Sequence, residues 1–68
     1  MTVFKYQEKD LLGGWRIEVR KGLRYIGNIR ENQIIGKYQY YSGPDSQLNP
    51  SFEEYDLNAL KQRIEAEL

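Results

Sequence analysis

The sequence predicts a small α+β domain: an antiparallel, three- to four-stranded meander sheet with one C-terminal helix packed on one face, in the order βββα or ββββα. Three observations carry this expectation. Apolar and polar residues alternate from Trp15 to Tyr41, as in strands that bury one face. Turn formers interrupt the alternation at about ten-residue spacing. Near the C-terminus Leu57, Leu60, Ile64 and Leu68 fall on one side of a helix.

Taken in order, Thr2 to Tyr6 is β-prone and supplies the optional fourth strand, at an edge. Gln7 to Asp10 reads as a charged connection, and Leu11-Leu12-Gly13-Gly14 as a flexible turn into Trp15. A Gly pair cradles phosphate where a helix follows it, and here a strand follows. In the first central run Trp15, Ile17 and Val19 share one face, and Arg16, Glu18 and Arg20 the other. Lys21-Gly22 closes a hairpin. The second run places Leu23, Tyr25 and Ile29 on one parity, and Arg24, Ile26, Asn28 and Arg30 on the other. Ile26 breaks the alternation, and Gly27 is a candidate bulge. Glu31-Asn32 is the next turn, after which Ile34, Tyr38 and Tyr40 oppose Ile35, Lys37, Gln39 and Tyr41.

Ser42-Gly43-Pro44-Asp45 ends the sheet, and the polar segment to Pro50 reads as a crossover that brings the chain back over it, with a binding loop as the alternative. Two helix starts compete: a capping box from Ser51 to Glu54, or Asp56 as N-cap with Tyr55 stapled on Leu60. Phe52 and Tyr55 would lie opposite Leu57, Leu60 and Ile64 on a continuous helix, so angular spacing selects a start at Leu57. Phe52 and Tyr55 then cover the core edge from an irregular lead-in. A helix of about three turns is not stable alone in water, so it must dock. Its partner is the sheet face carrying Trp15, Ile17, Val19, Tyr25, Ile29, Tyr38 and Tyr40.

The 68 residues make one domain, 1–68, with a small core. Neither Cys nor His occurs, which removes disulfides, thiolate zinc sites and the usual nucleophilic triads. Asp45, Glu53, Glu54 and Asp56 lack calcium-loop spacing. The expectation is a non-enzymatic protein with no cofactor, no metal and no evident small-molecule substrate. No apolar run approaches the roughly 20 residues that span a bilayer, and the expected location is the cytoplasm. Ten basic and ten acidic residues cancel overall. The cancellation hides an asymmetry: six basic against two acidic residues from Trp15 to Tyr41, and two basic against six acidic from Ser42 to Leu68.

The sheet face turned away from the helix is the candidate binding surface, with Arg16, Arg20, Arg24, Ile26, Arg30, Lys37 and Tyr41 as its contact residues. Tyr and Arg are enriched at interface hot spots, and six Tyr occur here, so the leading expectation is a small protein-interaction domain. Self-association is one version, with Ile26 and Ile35 forming an apolar patch on the outer face. The alternative is nucleic acid, specifically DNA, bound by the basic face: Arg on alternate positions reaches phosphates and guanine edges, and Tyr41 stacks on an unpaired base. Gly14-Trp15-Arg16, Glu18-Val19-Arg20 and Tyr25-Ile26-Gly27 together resemble the central hairpin of AP2-type DNA-binding domains, over about a quarter of the chain. That family passes from the hairpin straight into its helix, whereas here a further strand and a loop intervene. The resemblance assigns no base-reading residue.

Overall fold

The computed structural model describes residues 3–11, 14–43 and 49–68. The chain forms β1 (Phe4–Leu11), β2 (Gly14–Lys21), β3 (Arg24–Asn32), β4 (Lys37–Ser42), β5 (Phe52–Glu54) and α1 (Leu57–Glu67). The strands make one five-stranded antiparallel sheet in sequential order, and the helix covers one face. The α+β class, meander order and C-terminal helix are as expected; the strand number is five rather than three or four.

Both additional pairings come from segments whose apolar pattern is short. Gln7 to Asp10, expected as a connection, continues β1 and pairs residue by residue with β2, Gln7 with Glu18 and Asp10 with Trp15. An edge strand has one hydrogen-bonding side in water, so charged residues on it cost little and discourage edge-to-edge association. Phe4 and Tyr6 give this strand its inward face, opposite Lys21 and Val19. Thr2, Leu12, Gly13 and residues 44–48, which include the expected crossover, lie outside the described residues. Phe52 to Glu54, expected as an irregular lead-in, pairs with β4 through Tyr40–Phe52, Gln39–Glu53 and Tyr38–Glu54.

The turns also move. Gly22 adopts φ 65° in the β2–β3 turn, a left-handed conformation that suits glycine. Leu23 is in that turn and exposed, not in a strand. Glu31 and Asn32 finish β3, and the turn runs from Gln33 to Gly36. Asn32 organises it: its Oδ1 accepts from the Ile34 N–H at 3.1 Å and its carbonyl from the Gly36 N–H at 2.9 Å. Ile34 and Ile35 therefore project from a turn.

A bulge sits where Ile26 breaks the alternation. Val19 pairs with Gly27 and Arg20 with Tyr25, leaving Ile26 as the extra residue of β3. Parity reverses across it. Ile26 packs against the core, and Tyr25 lies opposite Arg20 on the outer face, the reverse of the expected assignments. Arg24 accordingly lies opposite Lys21 on the helix side.

Ile17, Val19, Ile29, Tyr40, Leu60 and Ile64 form the buried core, with Phe4, Tyr6, Trp15, Ile26, Tyr38, Phe52 and Leu57 packed around it. Full burial of each aliphatic side chain contributes about 1.5–3 kcal/mol. Phe52 stacks on Tyr40 at 5.8 Å between centroids, and Trp15 meets Tyr38 edge-on at 6.2 Å. Tyr55, expected at the core edge, is exposed beneath Lys37.

The helix begins at Leu57, with Asp56 as N-cap accepting from the Ala59 N–H at 3.0 Å. It lies across the sheet and is tied at both margins. Arg63 bonds Glu54 of β5 at 3.0 Å, and the Tyr6 hydroxyl of β1 donates to Glu65 at 2.7 Å. Burial, then the bond to Glu65, raises the Tyr6 phenol well above its ordinary pKa. Lys21 donates its ammonium to the Leu68 carbonyl at the helix end.

Candidate interaction face

Strand register sorts the charged residues between the two faces. Lys5 opposes Arg20, Lys9 opposes Arg16, Arg30 opposes Gln39, and Lys37 opposes Asn32, all on the outer face. Among the described residues Glu18 and Glu53 are the carboxylates on that face, so six cations stand against two anions, a net of +4 on a chain whose total is zero.

Glu18 sits near the centre of this array and is 9% exposed. Its carboxylate lies 3.6 Å from Lys9, 3.6 Å from Arg16 and 3.8 Å from Arg20. These distances exceed ordinary charge-assisted hydrogen bonds. One carboxylate thus gathers three cations by charge while leaving their donors available. Asn28, opposite Glu18, is 3% exposed, and neither its Oδ1 nor the buried Nε of Arg16 has a hydrogen-bond partner among the described residues. A buried polar atom left unpaired costs about 1–3 kcal/mol.

Two Arg–Tyr pairs flank this centre. The Arg20 guanidinium lies 5.6 Å from the Tyr25 ring centroid, and that of Arg30 lies 5.5 Å from Tyr41. Cation–π contact holds each guanidinium against a ring. At the β4–β5 margin, Glu53 accepts from Gln39 at 2.9 Å and from Lys37 at 3.3 Å. Those bonds, that from Gln39 first, hold its carboxyl below the usual carboxylate range. The Tyr41 hydroxyl donates to Gln39 at 3.1 Å, completing a polar chain across two strands.

Of the expected contact residues, Arg16, Arg20, Arg30, Lys37 and Tyr41 share the outer face. Arg24 and Ile26 do not, because the bulge turns them to the helix side. The Ile26–Ile35 patch therefore does not form. Lys5, Lys9 and Tyr25 join the face without having been expected there. The signal for Lys5 and Lys9 was present in β1, where they alternate with Tyr6, but the polar residues after it masked the strand; Tyr25 came with the bulge.

Among the described residues no group of Asp and Glu is placed to hold a metal ion, and no helix is long and apolar enough to cross a membrane. Compared with family models, curated proteins and solved structures, the chain matches none.

Proposed function

We propose that this domain binds nucleic acid through the outer face of its sheet and catalyses no reaction. The observation that carries the reading is the segregation of six cations and two carboxylates onto one face of a chain with no net charge. A polyanion meets that face as a +4 surface whatever the total, because charges on the far side are screened beyond a Debye length of about 8 Å at physiological salt. Arg20 and Arg30, held against Tyr25 and Tyr41, present guanidinium planes on which unpaired bases stack.

The test is fluorescence anisotropy with labelled DNA, single-stranded and duplex, across a salt series. Four effective charges give a log–log salt slope of about −3.6 on duplex and about −2.8 on a single strand. Arg16→Gln with Arg30→Gln lowers affinity and flattens the slope by about two phosphate contacts. Absence of binding at low salt, or binding that ignores both substitutions, overturns the reading.

A protein partner is the second reading, favoured by the apolar end of the sheet. Ile34 is 95% exposed and Ile35 and Tyr55 are also exposed, in the β3–β4 turn and just after β5. An interface centred there would tolerate salt, in contrast to the basic face.

A further inference from the structure

The bulge leaves a second cationic feature on the opposite side of the sheet. Lys21 and Arg24 are direct register partners across the β2–β3 turn. Like charges directly opposed across strands destabilise a hairpin. Lys21 is partly offset, since it bonds the Leu68 carbonyl and lies 5.8 Å from the centre of the Phe4 ring. Arg24 has no carboxylate partner among the described residues.

Both cations open on a recess of about 480 Å³ at the end of the sheet, whose other walls include Tyr25, Ile26, Tyr40 and Ser42. Among the described residues no Asp or Glu side chain lines it, and the Leu68 main-chain oxygen that Lys21 bonds lies at its wall. Ile26, Tyr40 and Leu68 supply its apolar lining. Ser42 adds a polar group, its hydroxyl 2.9 Å from that of Ser51 and retaining bonding capacity. The Tyr40 hydroxyl is already committed to the Ile26 carbonyl at 2.9 Å.

We propose that this recess binds an organic phosphate monoester. The phosphoryl oxygens meet Arg24 and Lys21, with the Ser42 hydroxyl as a third donor, and the organic group lies against Ile26 and Tyr40. A phosphoryl group suits the site better than a carboxylate does: the Arg24 guanidinium fork and the N–H donors that Lys21 keeps beside its bond to Leu68 reach several oxygens at once. The volume falls within the range of small-molecule pockets and far exceeds that of a bare ion. This site shares Tyr25 with the outer face but none of that face's cations, and its test does not depend on nucleic-acid binding.

The probes are phenyl phosphate, inorganic phosphate and benzoate, titrated into ¹⁵N-labelled protein at low ionic strength. Phenyl phosphate is expected to shift the amides of Lys21 to Ile26 and of Ser42 and Gly43 saturably, at least tenfold more tightly than benzoate. Arg24 is exposed, so Arg24→Gln leaves the fold intact and weakens binding at least tenfold; Ser42→Ala weakens it several-fold. Co-sedimentation with vesicles containing phosphatidate, against phosphatidylcholine alone, separates the sources of the monoester. Vesicle binding lost in Arg24→Gln assigns a lipid headgroup, and phenyl phosphate binding without vesicle binding assigns a soluble ligand. Shifts that do not saturate, shifts confined to the outer face, or unchanged binding by Arg24→Gln would overturn the proposal.

Discussion

The Tyr40 hydroxyl donates to the Ile26 carbonyl at 2.9 Å, across the bulge that turns Ile26 inward. The same carbonyl accepts from the Gly43 N–H, also at 2.9 Å. The residue without a β2 partner thus has its carbonyl satisfied by β4 and the turn beyond it. This pins the parity reversal and so decides that Tyr25 faces outward with Arg20 while Arg24 faces the helix side.

Tyr40→Phe removes one of the two donors to that carbonyl and keeps the buried ring. Because the Gly43 N–H remains, the expected loss is about 1 kcal/mol, the net worth of one hydrogen bond. Urea denaturation checks it: the midpoint falls at unchanged slope. A loss above about 3 kcal/mol would mean that the bond fixes register beyond its own energy.

Gly27→Ala is more damaging for a steric reason. A Cβ there would meet the Tyr41 carbonyl oxygen in hard overlap and stand 2.7 Å from the Tyr40 hydroxyl oxygen. The backbone oxygen belongs to the paired β4 and cannot yield alone. Overpacking of this kind costs typically 1–3 kcal/mol, and about 3 is expected here. For a domain of this size that is a large part of total stability, so thermal denaturation by circular dichroism reads it directly.

These two residues mark where the sequence was readable. Alternation from Trp15 to Val19 and from Tyr38 to Tyr40 placed Ile17, Val19 and Tyr40 in the core, and angular spacing placed Leu60 and Ile64 with them. Gly27 announced a bulge, but which neighbour becomes the extra residue depends on pairing, and that choice exchanged Tyr25 and Ile26. Arg24 moved with them, so two of seven expected contact residues left the outer face. A strand of three residues such as β5 is too short to show a period, and its pairing rests on Phe52 stacking over Tyr40. Lys5 and Lys9 were hidden because an edge strand need not alternate apolar and polar cleanly.

Asp56→Ala tests the helix start. The Asp56 carboxylate caps the Ala59 N–H, and its removal is expected to cost about 1 kcal/mol. Asp56→Asn keeps an acceptor and restores most of that. The Ser51 side chain bonds Ser42 instead of a helix N–H, so Ser51→Ala should leave helix protection in amide exchange unchanged.

The pH dependence has two limbs with opposite signs. Glu53 has its carboxyl held below 4.5 by Gln39 and then Lys37, so the folded state binds that proton less readily than the unfolded chain. Its contribution is present above pH 4.5 and is lost as pH falls through the lowered value. Tyr6 is the reverse: burial and the bond to Glu65 raise its phenol above 10.0, so its contribution is present below pH 10.0 and is lost as pH rises beyond it. Denaturation midpoints against pH check both, with Glu53→Gln flattening the acid limb and Tyr6→Phe the alkaline one.

Glu18→Gln separates stability from binding. Glu18 is nearly buried and attracts Lys9, Arg16 and Arg20, whose mutual repulsion it offsets. Those cations remain partly in water, so the expected loss is about 1–2 kcal/mol, less than for a fully buried pair. The same change takes the outer face from +4 to +5, so affinity for duplex DNA should rise at low salt and the log–log slope steepen by about 0.9. Glu31→Gln is the control, because it alters net charge equally but lies opposite Tyr38 on the helix side and is exposed. A less stable Glu18 variant that binds more tightly, beside an indifferent Glu31 variant, requires that DNA contact this particular face. Equal effects from both would reduce the interaction to overall charge, and no effect from either would leave the apolar end at Ile34 and Ile35 as the surface to pursue.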